Sequence, residues 1–452
     1  DLRWRAPQPA AKWDGVRKAD QFSPTCMQGA GTGSSEDCLY VNVWTSAKSP
    51  AERRPVMVFI YGGAYNSGSG SQPGYDGEAL ASKGAVLVTF NYRLGVFGFF
   101  SHPDLTKESD RRAAGNFGMM DSVAALQWVQ KNIAAFGGDP RRVTIFGESA
   151  GAGLVANLQA SPRAKGLFAR ALGESSAWNT ATIGTLGTLA NAEQAGVKFA
   201  DNMGAKSLAE LRAKPAADVL KAGRGQGPVV DGWWIPEEPS KVFAEGRQND
   251  AAVLAGSNRD ESFGAAPRDL AALVENAKRR FGDLADLYLK TYPATTDEQA
   301  KDAAFFSGRD EMVFVMRNWA RLESKVGKQK SYVFLFTHQP PVTPGAKGGG
   351  AFAPTVHGSA THTSELPYVF NVQGNRPWTD VDKQVADTMG SYWVNFATNG
   401  DPNGKGLPQW PAYDGAKNKN AMIFGDKAEA GAGPTSNAQI AFFQAYYDKL
   451  TK

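Results

Sequence analysis

Long apolar runs are missing from this chain. The most apolar stretches, Val56 to Tyr61 and Ala85 to Phe90, last about six residues, against the roughly 20 that a membrane-spanning helix needs. No span is expected. Charge of one sign is also scarce: 49 Lys and Arg are scattered among 45 Asp and Glu, for a net charge of +4 over 452 residues. Without a basic stripe, nucleic acid is not an expected partner. The sequence does not begin with Met and shows no signal peptide; it opens on Asp1 and reads as processed or trimmed. Cysteine is nearly absent too. Cys26 and Cys38 enclose the turn-rich stretch "MQGAGTGSSED", and their spacing alone leaves two readings open, a bridge or two separate buried thiols. A bridge over a loop of this size would stabilise by about 3 kcal/mol in the chain-entropy model and would imply an oxidising compartment.

What is present is enough for a large core, with 42% apolar and 11% aromatic residues. Five β-branched runs, "RPVMVFIYGG", "GAVLVTFNYR", "RRVTIFGES", "NDAAVLAGSN" and "QKSYVFLFTH", read as fully buried strands. Between them, residues 121–135 repeat apolar positions at helical spacing, with Asp121 as the expected cap. Buried strands separated by helices predict an α/β fold around a mostly parallel sheet. Residues 181–250 and 264–330 are rich in Ala, Lys and Glu, strongest at helical spacing over 187–222 and 264–325. They read as mainly helical excursions that cover the site. Gly and Pro cluster at 338–355, a loop. No internal repeat or linker divides residues 1–452, so one catalytic domain is expected.

The chemistry is concentrated in "TIFGESAGAG", residues 144–153, where a strand runs into a Gly-x-Ser-x-Gly turn and then a helix. A serine hydroxyl is a weak nucleophile near neutral pH and needs a base, and a group to orient that base. Gly147 and Gly151 permit the strained elbow that lifts Ser149 above a sheet. The N–H of Ala150, opening a helix, would face a developing oxyanion. Further donors are expected from the glycine-rich loop "FIYGGAYNSGSG", at Gly63 and Ala64.

With these stretches in place, the chain resembles the type-B carboxylesterases, the branch of the α/β-hydrolases that holds bacterial carboxylesterases of the para-nitrobenzyl-esterase type and the cholinesterases. "FGGDPRRVTIFGESAG" and "EDCLYVNVW" fit both family signatures nearly position by position. The likeness runs on through "NYRLGVFGF", "GSNRDESF", "HTSELPYVF" and "YWVNFATNGDPN" over essentially the whole chain. It implies an α/β-hydrolase fold, hydrolysis of a small-molecule ester, and no metal or cofactor. It also implies Ser149 as nucleophile, Glu261 as acid and His362 as base, in the order expected on this fold. His357 is the rival base, but the family places its base three residues before the Glu of "ELPYVF", and His362 stands so relative to Glu365. Asp260 is the rival acid and reads as a loop-ordering carboxylate; Glu148 reads as a carboxylate behind the site. The resemblance further implies a Cys26–Cys38 bridge, and with it a secreted or periplasmic location. The family's β-hairpin upstream of Leu2-Arg3-Trp4 has no counterpart in these residues, which bears on the edge of the sheet and on part of the site's rim.

Two other classes compete with the esterase. Some members of this family have lost the serine and act as surface ligands, but Ser149, Glu261 and His362 are all present here; acyl transfer to an alcohol would use the same triad. Choline esters fit poorly, because cholinesterases hold the ammonium over a tryptophan of the disulfide loop and residues 27–37 contain no aromatic residue. On the acyl side, "KAGRGQGPVVDG" carries no ring before Trp233. Two readings stand for this stretch: a solvated loop with Arg224 turned to water, or a roomy pocket in which Arg224 and Gln226 supply directional hydrogen bonds to a bulky or acid-bearing ester, with Trp233 and Trp234 as apolar walls. In "GESSAW", Ser176 and Trp178 are expected at the pocket floor, with Ser175 behind the triad.

Overall fold

A computed structural model describes residues 2–29, 33–178, 186–263, 265–342, 356–415 and 420–450. All five of the β-branched runs form strands of one sheet. In chain order the sheet contains β1 (Val41–Thr45), β2 (Arg54–Ile60), β3 (Val86–Phe90), β4 (Gly138–Glu148), β5 (Arg170–Glu174), β6 (Ala252–Asn258), β7 (Ser331–Phe336), β8 (Ala421–Phe424) and β9 (Ala428–Gly431). Their spatial order is β9-β8-β7-β6-β5-β4-β2-β3-β1. Pairing is parallel from β3 to β8, while β1 and β9 pair antiparallel at the two edges. The apolar runs 55–60 in β2 and 252–256 in β6 follow from this position, since every residue of β6 and all but the first of β2 are buried. Among the described residues β3 is the sole sheet partner of β1.

Two elements differ from the sequence-based expectation. β5 lies at the centre of the sheet, yet its sequence, RALGE, has no β-branched residue; it is recruited by its neighbours β4 and β6. The helix expected from Asp121 begins earlier, as α1 (Phe117–Asn132) with Asn116 at its N-cap. Asp121 lies inside this helix because Arg93 claims it, through Nε and Nη2 at 2.7 Å each and the backbone N–H at 3.0 Å. A buried carboxylate with three donors is satisfied without a cap role.

The remaining helices carry the site. α2 (Ala150–Ala160) packs on β4 and β5, α4 (Asp297–Val326) on β6 and β7, and α5 (Asp380–Asn399) on β2 and β4. Residues 181–250 hold α3 (Leu189–Asn202) and three shorter helices, and a two-residue strand pair joins Gly187–Thr188 to Val229–Val230. Residues 264–330 hold Leu270–Phe281, Ala285–Thr291 and α4. Of the glycine- and proline-rich stretch 338–355, residues 343–355 lie outside the described residues, as do 179–185. Cys26 and Cys38 form a disulfide, and the carbonyl of Cys38 accepts from Asn91 Nδ2 at 3.1 Å.

Candidate active site

The site is built where four strands end. After β4, Ser149 takes φ 55° and ψ −127° before α2 begins, a conformation strained for a non-glycine residue and retained where the surrounding structure enforces it. Here the enforcement is steric and bonded. A Cβ on Gly151 would stand 1.9 Å from the Ile60 carbonyl oxygen, and one on Gly147 2.6 Å from that oxygen. The Ser149 N–H donates to Glu174 O at 2.9 Å and its carbonyl accepts from Gly153 N at 3.0 Å. Only glycine on both sides lets the elbow press this closely on β2.

The loop after β2 passes over the elbow. Gly63, Ala64 and Tyr65 have φ of 100°, 51° and 60° in succession. Among the described residues no oxygen accepts from the N–H of Gly63 or Ala64. Ala64, Ser149 and Ala150 line one cavity of about 450 Å³. Gly62, just before them, lies against Glu148, where a Cβ would meet the Glu148 backbone oxygen at 2.8 Å.

Loops after β6 and β7 bring Glu261 and His362 together. Glu261 Oε2 lies 2.8 Å from His362 Nδ1, and Glu261 Oε1 accepts from the Asn258 N–H at 3.0 Å. Both side chains are almost completely buried, and the edge of Phe263 packs on the imidazole at 4.7 Å. His362 Nε2 stands 3.1 Å from Glu148 Oε1. Asp260 instead ties the loops: its carboxylate takes Arg259, Gln339 Nε2 and the Ala360 N–H. His357 is elsewhere, stacked on Phe305 at 4.1 Å and 3.4 Å from Asp302.

Behind the imidazole lies a group of buried carboxyls that the sequence marked only at Glu148. Glu365 accepts from Asn258 Nδ2, and Glu174 from Trp393 Nε1 at 3.0 Å. Burial raises Glu148 to about 8, with repulsion from Glu365 and Glu261 adding to it and His362 opposing. Burial and the Glu261 charge likewise raise Glu365 to about 7, and Glu174 is pushed well above the usual carboxyl range by burial and by Glu365. Glu174 and Glu365 each keep an oxygen, Oε2 and Oε1, that receives no hydrogen bond from the described residues, and the Glu365 charge adds to the upward push on Glu174. For His362, burial acts downward, but Glu148 and Glu261 outweigh it and lift the imidazole to about 9. The carboxyls and imidazole therefore titrate as one group near and above neutrality.

The cavity wall corrects most of the expected pocket residues. Tyr65, Asn66, Ser175, Ser176, Leu186, Gly225, Gln226, Gly227, Phe263 and Met312 also line the cavity. Arg224 is exposed and does not line it. Gln226 does, but its amide turns back to donate to Ala192 O at 3.1 Å. Trp178 is a core residue, stacked on Phe243 at 4.0 Å and edge-on to Trp319. Trp233 and Trp234 are also absent from the wall. Asp231 Oδ1 accepts from the N–H groups of Trp233, Trp234 and Ile235, a turn that leaves the Trp233 ring between Arg163 at 3.9 Å and Arg111 at 4.7 Å. Phe263, in the loop after β6, and Met312, on α4, were not foreseen; nothing in a helical apolar repeat tells a cavity-facing position such as Met312 from a core one. Among the described residues no cluster of His, Cys, Asp and Glu could hold a metal ion.

Comparison with known proteins gives one answer throughout. The model of the "Carboxylesterase family" matches residues 1–443. A fumonisin B1 esterase of Sphingopyxis macrogoltabida is 33% identical, covering 96% of this chain and 82% of that protein. The para-nitrobenzyl esterase of Bacillus subtilis is 34% identical over 91% of this chain and 86% of its own length. The solved structure of the Geobacillus stearothermophilus carboxylesterase EST55 superposes with a TM-score of 0.80 at 32% identity, covering 97% of this chain and 92% of that one.

Proposed function

The chain belongs to the carboxylesterase family, with the α/β-hydrolase fold, and is a carboxylic ester hydrolase; from that premise we propose that it works through an acyl-enzyme formed on Ser149, with His362 as base and Glu261 as the acid that orients it. The observation that carries this reading is the buried 2.8 Å contact between Glu261 and His362 Nδ1, beside a cavity that Ser149 lines from a strained elbow. The Ser149 oxygen attacks the ester carbonyl as its proton passes to His362 Nε2, and the carbonyl π electrons move onto oxygen. That oxyanion is received by the N–H groups of Gly63, Ala64 and Ala150. Collapse breaks the bond to the alkoxide, which leaves with the proton from Nε2. Water then repeats the sequence on the acyl-enzyme. Because Nε2 also faces Glu148, the proton that arrives is stabilised from both sides of the ring.

The cavity favours bulky esters over small ones, with Gly225 and Gly227 forming part of its wall. Recognition of an acid group by Arg224 loses its support, since that side chain points to solvent. Relatives of similar identity bear names for unlike esters, among them fumonisin B1 and cocaine. The Cys26–Cys38 bridge supports a secreted or periplasmic enzyme.

The test is Ser149→Ala against an activated nitrophenyl ester, with kcat expected to fall on the order of 10⁶-fold, and an organophosphate expected to label Ser149 alone. Retention of more than about a tenth of the parental turnover would remove the triad assignment. A panel of esters that includes fumonisin B1, ranked by kcat/KM, then places the substrate. A ranking in which acetate esters of small alcohols lead would reject the bulky-ester reading.

A further inference from the structure

Beside the elbow, one turn holds an awkward shape with residues that do not favour it. Gly63 to Asn66 closes with an Asn66 N–H to Gly63 O bond of 3.0 Å, and both central residues, Ala64 and Tyr65, have positive φ. These are the marks of a type I′ turn, which prefers Gly, Asn or Asp at its centre. Alanine and tyrosine disfavour the left-handed region, so the local sequence pushes the turn towards other shapes. Several bonds oppose that push. Gly63 O accepts from the N–H groups of Asn66 and Ser67, the Asn66 side chain donates from Nδ2 to Ala64 O at 2.6 Å, and Gly95 N donates to Tyr65 O at 2.6 Å.

These bonds matter for what lies on the other side of each peptide. In a trans peptide the C=O and the following N–H point in opposite directions, so holding the Gly63 oxygen sets the direction of the Ala64 N–H. Ala64 has a second flanking peptide, and rotation about it would let Ala64 and Tyr65 relax. Asn66 Nδ2 is the one side-chain donor among the described residues on that second carbonyl. Asn66 also lines the cavity beside Ala64 and Ser149.

We propose that Asn66 is a positioning residue for ester hydrolysis, its Nδ2 bond to Ala64 O holding the turn that aims the Gly63 and Ala64 N–H groups at the oxyanion. The assignment rests on the reading that these groups form the oxyanion hole. Loss of an oxyanion donor costs roughly 10²–10³ in kcat, and a loosened donor should cost part of that.

The experiment uses Asn66→Leu, which cannot bond, and Asn66→Asp, which keeps the size of the side chain but replaces the donor with an acceptor. For each, kcat and KM are measured on a nitrophenyl ester, with inhibition by a phenylboronic acid, whose adduct on Ser149 is tetrahedral, and by the product alcohol, which is not. The expected result is a kcat lower by about 10- to 100-fold, boronate affinity weakened in step, and KM and alcohol inhibition within about threefold. A kcat within threefold of the parent in both variants, or a raised KM at unchanged kcat, would overturn the assignment and leave Asn66 a wall residue. If the leucine variant fails to fold, the aspartate variant decides alone. Ser149→Ala in the same assays separates the two readings: its activity persisting would defeat the triad itself, whereas its loss beside normal Asn66 variants would defeat this inference only.

Discussion

His362 and His338 are both buried, and each lies between two carboxylates. His362 has Glu261 at 2.8 Å and Glu148 at 3.1 Å; His338 has Asp426 at 2.8 Å and Asp382 at 2.9 Å. The supply of donors separates them. Asp382 also receives the Tyr368 hydroxyl and both the N–H and hydroxyl of Thr379, and Asp426 reaches solvent. Burial would raise Asp382, yet His338, Tyr368 and Thr379 together hold it down at about 2. Around His362 the carboxyls outnumber their donors, and Glu148 and Glu365 are raised. A saturated network locks a fold, whereas a network short of donors keeps protons that can move.

The largest expected effect tests that contrast directly. His362→Ala should lower kcat on the order of 10⁵- to 10⁶-fold, as when a coupled triad loses its base. His338→Ala should leave kcat per folded molecule within about threefold while lowering the unfolding midpoint. Titration of active sites with an organophosphate in the parent and in His338→Ala supplies the folded concentration. A kcat loss above tenfold in His338→Ala would mean that the two clusters do not divide in this way.

Next in size is Asp382→Ala, which strands the Tyr368 hydroxyl and removes a capping box with Thr379 from α5. The expected cost is about 3 kcal/mol in urea unfolding, combining a buried charged acceptor with a helix cap. Asp382 has a lowered pKa in the fold, so its contribution is present above about 4 and is lost as pH falls towards about 2. The difference between parent and variant should therefore shrink below pH 4. A gap that stayed constant down to pH 2 would point to packing alone.

The same contrast explains what the sequence could reveal. Gly147 and Gly151 around Ser149 were legible because steric contact with β2 dictates residue type at fixed spacing, and the apolar runs of β2 and β6 were legible because both faces are buried. The pairing of Glu261 with His362 is suggested only through likeness to a family, since 101 residues separate them and no periodicity joins them. Of the residues expected on the cavity wall, Trp178, Trp233 and Trp234 do not line it, and for Arg224 the solvated-loop reading agrees with its exposure. An indole next to a motif can turn either way, and here the Asp231 turn and the Phe243 stack decided it. The central strand β5 was missed because its place in the sheet comes from its neighbours, not from its own residues.

A smaller effect is expected from Glu148→Gln. The carboxylate of Glu148 is the strongest upward influence on His362, and in the proposed mechanism His362 must be unprotonated to take the Ser149 proton. Activity should therefore rise with pH through the titration of the coupled group, and the neutral amide should move the acid limb of kcat/KM to lower pH by about one unit. An unmoved limb would mean that Glu261 alone sets the basicity of the ring.

The smallest expected effect probes the raised carboxyls Glu174 and Glu365. Both carboxyls are raised above the unfolded value of 4.5 in the fold. Between that value and the folded titration the native state holds more protons than the unfolded chain, so stability declines as pH rises through this window and is unaffected by the pair below about 4. Replacing Glu174 by Gln takes away one ionisable group, keeps an oxygen for Trp393 Nε1, and gives Glu365 an N–H in place of a proton that solvent can remove. The variant should match the parent at pH 5 and exceed it at pH 8, by about 1–2 kcal/mol, the equivalent of about one pH unit of linkage. Thermal or urea midpoints at the two pH values measure this. A variant less stable than the parent at pH 8 would show that the two carboxyls find separate donors, which would place the cluster behind His362 with the saturated one around His338.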